Sequence, residues 1–294
     1  MNKKIRNLLF LGRYHKPYGA FLLMMPCFWG LAISSYFSKN MLWEYLLFFL
    51  GSFLMRGAGC TINDIFDSSF DKKVKRTQNR PIAIGEISKK EAYYFLLFQL
   101  FLSLLILINF NQRVIFFSLL VLPVVIIYPL LKRITFFPQI ILGMIFNWGV
   151  ILGCLTKNPT FHVSEIFLYL GGVFLTIGYD TIYALQDVTD DKKIGVKSLA
   201  IKIYKKPKFF ISIIYLFSLA FFSFSILNLS TPNIVDIVII SIIGCHIFWQ
   251  IKNINFKEND KLMKIFISNV DLGIILFIGI LVKKNYVLIS QLYI

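Results

Sequence analysis

The chain has 294 residues, 57% of them hydrophobic and only 16% charged, with a net charge of +16. A soluble domain is nearer one-quarter charged, so a soluble globular fold is excluded. The cations lie in short segments between apolar runs, with no basic patch interleaved with stacking aromatics on a polar background. That excludes nucleic acid and points to anionic lipid and phosphate-bearing substrates.

In chain order, the opening MNKKIRNLLFLGRYHKP is basic and partly apolar, with no small-residue cleavage site before the first long run. It predicts a cytoplasmic amphipathic lead-in over residues 1–18 rather than a removed signal. Nine apolar runs follow, at about 19–37, 43–62, 92–109, 114–131, 138–156, 164–186, 208–228, 234–251 and 265–282, most near the ~20 residues that cross a bilayer as helix. Asp236, His246 and Asp271 interrupt or edge the last two. The expectation is one all-α membrane domain, 1–294, a bundle of nine transmembrane helices. Of the 31 Lys and Arg, 25 fall in the amino-terminal leader and the even-numbered connections. Cytoplasmic loops carry such an excess, so the amino terminus is expected in the cytoplasm and the carboxyl terminus outside. The predicted cytoplasmic loops 63–91 and 187–207 are the longest, and both begin in aspartates. Cys27, Cys60, Cys154 and Cys245 are scattered through apolar runs without metal spacing and are expected as buried thiols. His15, His162 and His246 also lack ligand spacing.

The first loop opens NDIFDSSFDKKVKRTQNRP and the second QDVTDDKKIGVK, each an acidic cluster followed by lysines. On a helix turning about 100° per residue, Asn63, Asp64, Asp67 and Asp71 share a stripe about a quarter of the circumference wide. Arg56 continues that stripe deeper into the membrane. Asp180, Tyr183, Asp187 and Asp191 share a face in the same way, with Asp190 beside it. Uncompensated carboxylates in a bundle cost several kcal/mol each, and two facing rows repel. Hard oxygen donors in such an array suit Mg²⁺, which completes its shell with water and phosphate oxygens. A diphosphate restores negative charge, which Lys75, Arg76, Arg80, Lys193 and Lys197 are placed to answer. A cation-coupled transporter is the reading from a different class, but transporters tend to hold such groups near the midplane on broken helices.

At these residues the chain resembles the UbiA superfamily of intramembrane prenyltransferases. Asn63, Asp64, Asp67 and Asp71 match its NDxxDxxxD motif, continued in KRTQNRP, and Asp187 and Asp191 match its DxxxD motif. The segments YHKPYG, MRGAGCTIND and YPLLKRITFFPQIILG look most like its 4-hydroxybenzoate polyprenyltransferase branch. The resemblance implies a cytoplasm-facing active-site cavity in which Mg²⁺, held by Asp67, Asp71, Asp187 and Asp191, bridges to the diphosphate of a polyprenyl donor. It implies transfer of the prenyl group to the ring carbon ortho to the hydroxyl of 4-hydroxybenzoate, in ubiquinone biosynthesis, with haem, homogentisate or a naphthoate as acceptors in sister enzymes. Arg56 is the candidate for the benzoate carboxylate, or else an arginine paired within the protein. Asn63 orients substrate or metal-bound water. Either Asp191 or released diphosphate takes the ring proton. Lys132 and Arg133 are either further anion ligands or interfacial anchors. The Lys-, Ile-, Phe- and Asn-rich composition suggests a bacterial inner (plasma) membrane.

Overall fold

The computed structural model describes residues 3–36, 38–39, 41–256 and 258–292, with side chains to 288. The predicted end of the first span, Phe37, and the two chain termini lie outside the described residues. The described residues form helices and no strands. In order they are α1 (Lys3–Leu11), α2 (Tyr18–Ser34), α3 (Met41–Asp71), α4 (Lys89–Leu107), α5 (Gln112–Leu131) and α6 (Pro138–Leu155). Then come α7 (Val163–Ala184), a 3₁₀ turn (Leu185–Asp187), α8 (Val188–Ile194), α9 (Leu199–Lys202), α10 (Pro207–Leu227), α11 (Ile234–Asn253) and α12 (Asn259–Leu292). Among the described residues, eight helices are long and apolar enough to cross a bilayer. The first predicted span is the shorter apolar α2, of 17 residues.

Helices in lipid gain little from burying apolar surface against each other, so they associate through close backbone approach. The sequence provides for this at Gly149 and Gly153, four residues apart on α6. A Cβ on Gly153 would fall 2.4 Å from the Cys27 carbonyl oxygen, and one on Gly30 of α2 would fall 2.2 Å from that of Val150. The α2–α6 pair therefore packs backbone on backbone, and Trp29 Nε1 ties α2 to α12 by donating to the Gly273 carbonyl at 2.9 Å. By contrast α5 buries only Val114 and Pro129, and packing between α4 and α5 is thin.

Two predicted boundaries are corrected. The segment 63–91 is not loop throughout: α3 continues to Asp71, and only 72–88 connects it to α4. At 31 residues α3 is about 46 Å long, more than the ~30 Å that the hydrocarbon core requires of a spanning helix. The connection folds back, with Ile82 and Ile87 buried against Leu11, Ile65 and Leu96, and Thr77 Oγ1 donating to the Asp71 carbonyl at 3.1 Å. The segment 187–207 likewise contains the end of the 3₁₀ turn, α8 and α9. Gly195, at φ 74°, ends α8 in the left-handed conformation that glycine adopts without steric cost.

The thiols of Cys27, Cys60 and Cys154 are buried as expected, but Cys245 is exposed. It shares an outward face of α11 with Ile242 and Phe248, away from the buried row of Ile239, Ile243 and Ile247.

Candidate active site

A cavity of about 740 Å³ runs along α3. Its lining on that helix begins at Leu47 and Phe48 and returns at Gly51, Met55, Arg56, Asn63, Asp64, Asp67 and Asp71. This is the three-to-four-residue recurrence of one helix face. One end is polar, closed by the carboxyl end of α3, the 72–88 connection and the α7–α8 junction. The other is apolar, bounded by α2, α4, α5 and α6.

At the polar end the two acidic arms meet across the cavity, since Asp187 and Asp191 line it together with Asp64, Asp67 and Asp71. The side chains of Asp64 and Asp67 are each only about 1% exposed, and carboxylates so buried need partners. Arg13 Nη2 donates to both oxygens of Asp64, at 2.9 and 2.7 Å. Arg80 Nη1 donates to Asp64 at 2.9 Å and to both Asp71 oxygens at 3.0 Å. Burial works against the charge of Arg80, but Asp64 and Asp71 outweigh it and hold its pKa above the usual arginine value. Lys132 pairs with Asp67 Oδ2, while Asp67 Oδ1 is buried without a hydrogen-bond partner among the described residues. On the opposite arm Arg76 Nε donates to Asp187 at 2.9 and 3.0 Å, Nη2 closes a second contact, and Nη1 donates to the Tyr183 hydroxyl at 2.6 Å. The carboxylate of Asp191 and the amide of Asn63 face the cavity without hydrogen-bond partners among the described residues.

Arg56 lies deeper. Its guanidinium carbon is 5.5 Å from the Phe146 ring centroid, and no carboxylate or carbonyl pairs with it among the described residues. Gly19 leaves room for it: a Cβ there would sit 2.4 Å from Arg56 Nε. The Asp180 carboxylate lines the same cavity and acts on the Arg56 charge without a hydrogen bond between them.

The predicted anion-binding cations separate. Arg76 and Arg80 line the cavity. Lys75 and Lys193 line a neighbouring recess of about 460 Å³ that shares Arg76 and Asp187 as its wall. Lys197 turns away, donating from Nζ to the Ile134 carbonyl at 3.0 Å. Asp190 accepts from the Lys75 backbone N–H at 3.2 Å and belongs to the recess. His15 stacks on Phe10, with ring centroids 4.0 Å apart, and is not part of the cavity wall. Sequence reasoning missed Arg13, which it counted only towards topology, and left Lys132 undecided. Arg133 donates to the Phe66 carbonyl at 2.9 Å and lies over the Phe70 ring, and it is not part of the cavity wall.

Among the described residues no three His, Cys, Asp or Glu side chains gather closely enough to hold a metal ion by themselves. Even so, the donor set is entirely carboxylate oxygen, and the buried Asp67 Oδ1, without a hydrogen-bond partner among the described residues, has a lone pair to offer. Such a set fits a hard divalent ion that binds one or two carboxylates and takes its remaining ligands from phosphate and water.

Fold and site together define an integral membrane protein whose helices enclose a path from an acid-and-cation head to an apolar end. The model of the UbiA prenyltransferase family matches residues 23–270, and the chain belongs to that family. A protein of Drosophila pseudoobscura pseudoobscura named 4-hydroxybenzoate polyprenyltransferase, mitochondrial, is 41% identical over 290 residues, covering 94% of this chain and 70% of its own. Two solved structures share the fold. A UbiA homolog from Aeropyrum pernix K1 in its apo form has a TM-score of 0.74 at 22% identity, covering 89% of this chain and 97% of its own. A UbiA homolog from Archaeoglobus fulgidus bound to GPP and Mg2+ has a TM-score of 0.69 at 18% identity, covering 92% and 99%.

Proposed function

We propose that this chain transfers a polyprenyl group from polyprenyl diphosphate to the ring carbon ortho to the hydroxyl of 4-hydroxybenzoate, releasing diphosphate. The observation that carries this reading is the placement of Arg56. A guanidinium with no hydrogen-bonded carboxylate or carbonyl among the described residues stands inside one cavity, between two carboxylate rows at the polar end and an apolar channel at the other. The name of the fly relative supports the same acceptor.

The residues divide the work. Arg56 takes the benzoate carboxylate as a charge-assisted pair, and Asn63 orients the acceptor beside it. Arg76 and Arg80 answer the charge that builds on the diphosphate as the allylic carbon–oxygen bond breaks and its electron pair leaves with the phosphate oxygen. Lys75, Lys193 and Lys197 add positive potential from outside the cavity. The ring carbon then bonds to the allylic carbon, and its proton passes to the Asp191 carboxylate or to the departing diphosphate. Asp67, Asp71, Asp187 and Asp191 would hold the divalent metal, for which Mg²⁺ is our assignment. When bound it supplies Lewis-acid neutralisation of the leaving group. Asp64, gripped by Arg13 and Arg80, keeps the head of the site charged and ordered.

The donor's tail lies in the apolar part of the cavity and reaches lipid between α4 and α5. The cation-rich end faces the cytoplasm by the Lys and Arg asymmetry, and the carboxyl terminus lies outside. A bacterial inner membrane is our reading of the composition, although the name of the fly relative places that protein in mitochondria.

The test is incubation of membranes containing the protein with labelled 4-hydroxybenzoate, a polyprenyl diphosphate and Mg²⁺. Labelled prenylated product is expected, lost in EDTA and restored by excess Mg²⁺. Product from homogentisate or a naphthoate but not from 4-hydroxybenzoate moves the chain to a sister acceptor. Activity unaffected by EDTA removes the metal assignment.

A further inference from the structure

The apolar end of the cavity is closed by aromatic rings. Phe48 and Phe110 both line it, with ring centroids 4.7 Å apart. Phe48 is 6% exposed and belongs to a buried cluster with Cys27, Leu31, Met41 and Tyr45. Behind it Phe28 meets Tyr45 at 4.8 Å and Phe277 at 5.5 Å. This end of the path is therefore a packed floor several side chains thick. The side wall is different. Leu104 of α4 and Leu119 of α5 line the cavity and are each 48% exposed, between helices whose packing against one another is thin.

Phe48 lies fifteen residues before Asn63 on one unbroken helix, so floor and head are separated by about 22 Å. An extended isoprene unit spans roughly 4.5 Å at ordinary bond lengths and angles. The straight run thus holds about four to five units, and each further unit must turn sideways into the bilayer. There it lies against mobile lipid chains rather than side chains the protein holds in place, so it adds no further packing contact that the protein can read.

We infer that Phe48 and Phe110 are specificity-determining residues, a stop that sets how much of the prenyl tail the protein itself reads. This rests on the prenyl-donor reading above and deepens it. Donors up to about the length of the straight run are distinguished by the number of units in contact with the wall, and longer donors are treated alike. The opening at Leu104 and Leu119 is needed only by the longer ones.

The test uses the full chain in phosphatidylcholine vesicles, with 4-hydroxybenzoate, Mg²⁺ and geranyl, geranylgeranyl, hexaprenyl and octaprenyl diphosphates. The readout is the ratio of kcat/KM between donors, which does not depend on how much of a variant folds. In the wild type, kcat/KM is expected to rise from geranyl to geranylgeranyl and to differ by less than about twofold between hexaprenyl and octaprenyl. Leu104→Trp narrows the opening and is expected to lower the octaprenyl-to-geranyl ratio about tenfold, equivalent to ~1.4 kcal/mol. Phe110→Ala deepens the run and is expected to raise the hexaprenyl-to-geranylgeranyl ratio about threefold. If both variants leave these ratios at wild-type values, the stop is overturned while prenyl transfer stands. If no donor of any length reacts with any acceptor, the transfer reading falls and the stop falls with it.

Discussion

On α3 the acidic residues occupy one continuous helix, are almost wholly buried, and are each held by a cation from a different part of the chain: Arg13, Arg80 and Lys132. The other arm bears the same residue type on a broken path. α7 gives way to a 3₁₀ turn at Leu185–Asp187, Asp187 is gripped by Arg76 alone, and Asp191 has no partner among the described residues. One arm has an ion pair on every aspartate, whereas on the other Arg76–Asp187 is the one ion pair among the described residues. On this asymmetry we expect the α3 row to act as the template and the α7–α8 row to be the part that adjusts to what enters.

The largest effect that sharpens the contrast is expected at Asp67. Asp67→Ala leaves Lys132 facing a buried gap and removes the free carboxylate oxygen, and product formation should fall by about a thousandfold or more while the protein still inserts. Turnover within tenfold of wild type in a membrane assay would break the template idea. Arg56→Ala should come next, raising the KM for 4-hydroxybenzoate by about 10–100-fold, the scale of a lost charge-assisted hydrogen bond, with far less change in the donor KM. Equal shifts in both constants would remove Arg56 from acceptor binding. Arg76→Lys keeps the charge but loses the fork to Asp187 and Tyr183, and a five- to tenfold rise in donor KM is expected from the adjusting arm. Should Arg80→Lys, on the fixed arm, weaken the donor less than Arg76→Lys does, the assignment of rigidity would be reversed. Smallest of all, Gly19→Ala should displace Arg56 by a few tenths of an ångström or more and raise the acceptor KM about threefold, with thermal stability near wild type.

Much of this was legible before any coordinates. Apolar runs of bilayer length predicted the helices because a chain in lipid must satisfy its own backbone bonds. The spacing of Asn63, Asp64, Asp67 and Asp71 predicted a common face because a helix continued through them, and the shared cavity bears that out geometrically. What the sequence did not disclose depends on contacts between distant segments. Arg13 meets Asp64 across 51 residues and Lys132 meets Asp67 across 65, so neither pairing leaves a local pattern to read. Lysines close to the motif were over-weighted for the same reason. Lys197 is near the second cluster in sequence, yet its backbone N–H bonds to the Lys132 carbonyl at 2.8 Å, and this turns its side chain towards the end of α5. The aromatic floor was also hidden, because a phenylalanine at helical spacing reads as core whether it faces a neighbour or a channel.

A single rod of 31 residues carries the acidic row near one extremity and Phe48, one half of the proposed stop, near the other, and this makes α3 a caliper. Loop motions leave the distance from Phe48 to the acidic row unchanged, since both stand on this helix. Lengthening the rod by a full turn would move them about 5.4 Å apart, roughly one isoprene unit. Any homologue in which this helix gains or loses a turn between the arginine and the phenylalanine should therefore measure out a different length of tail.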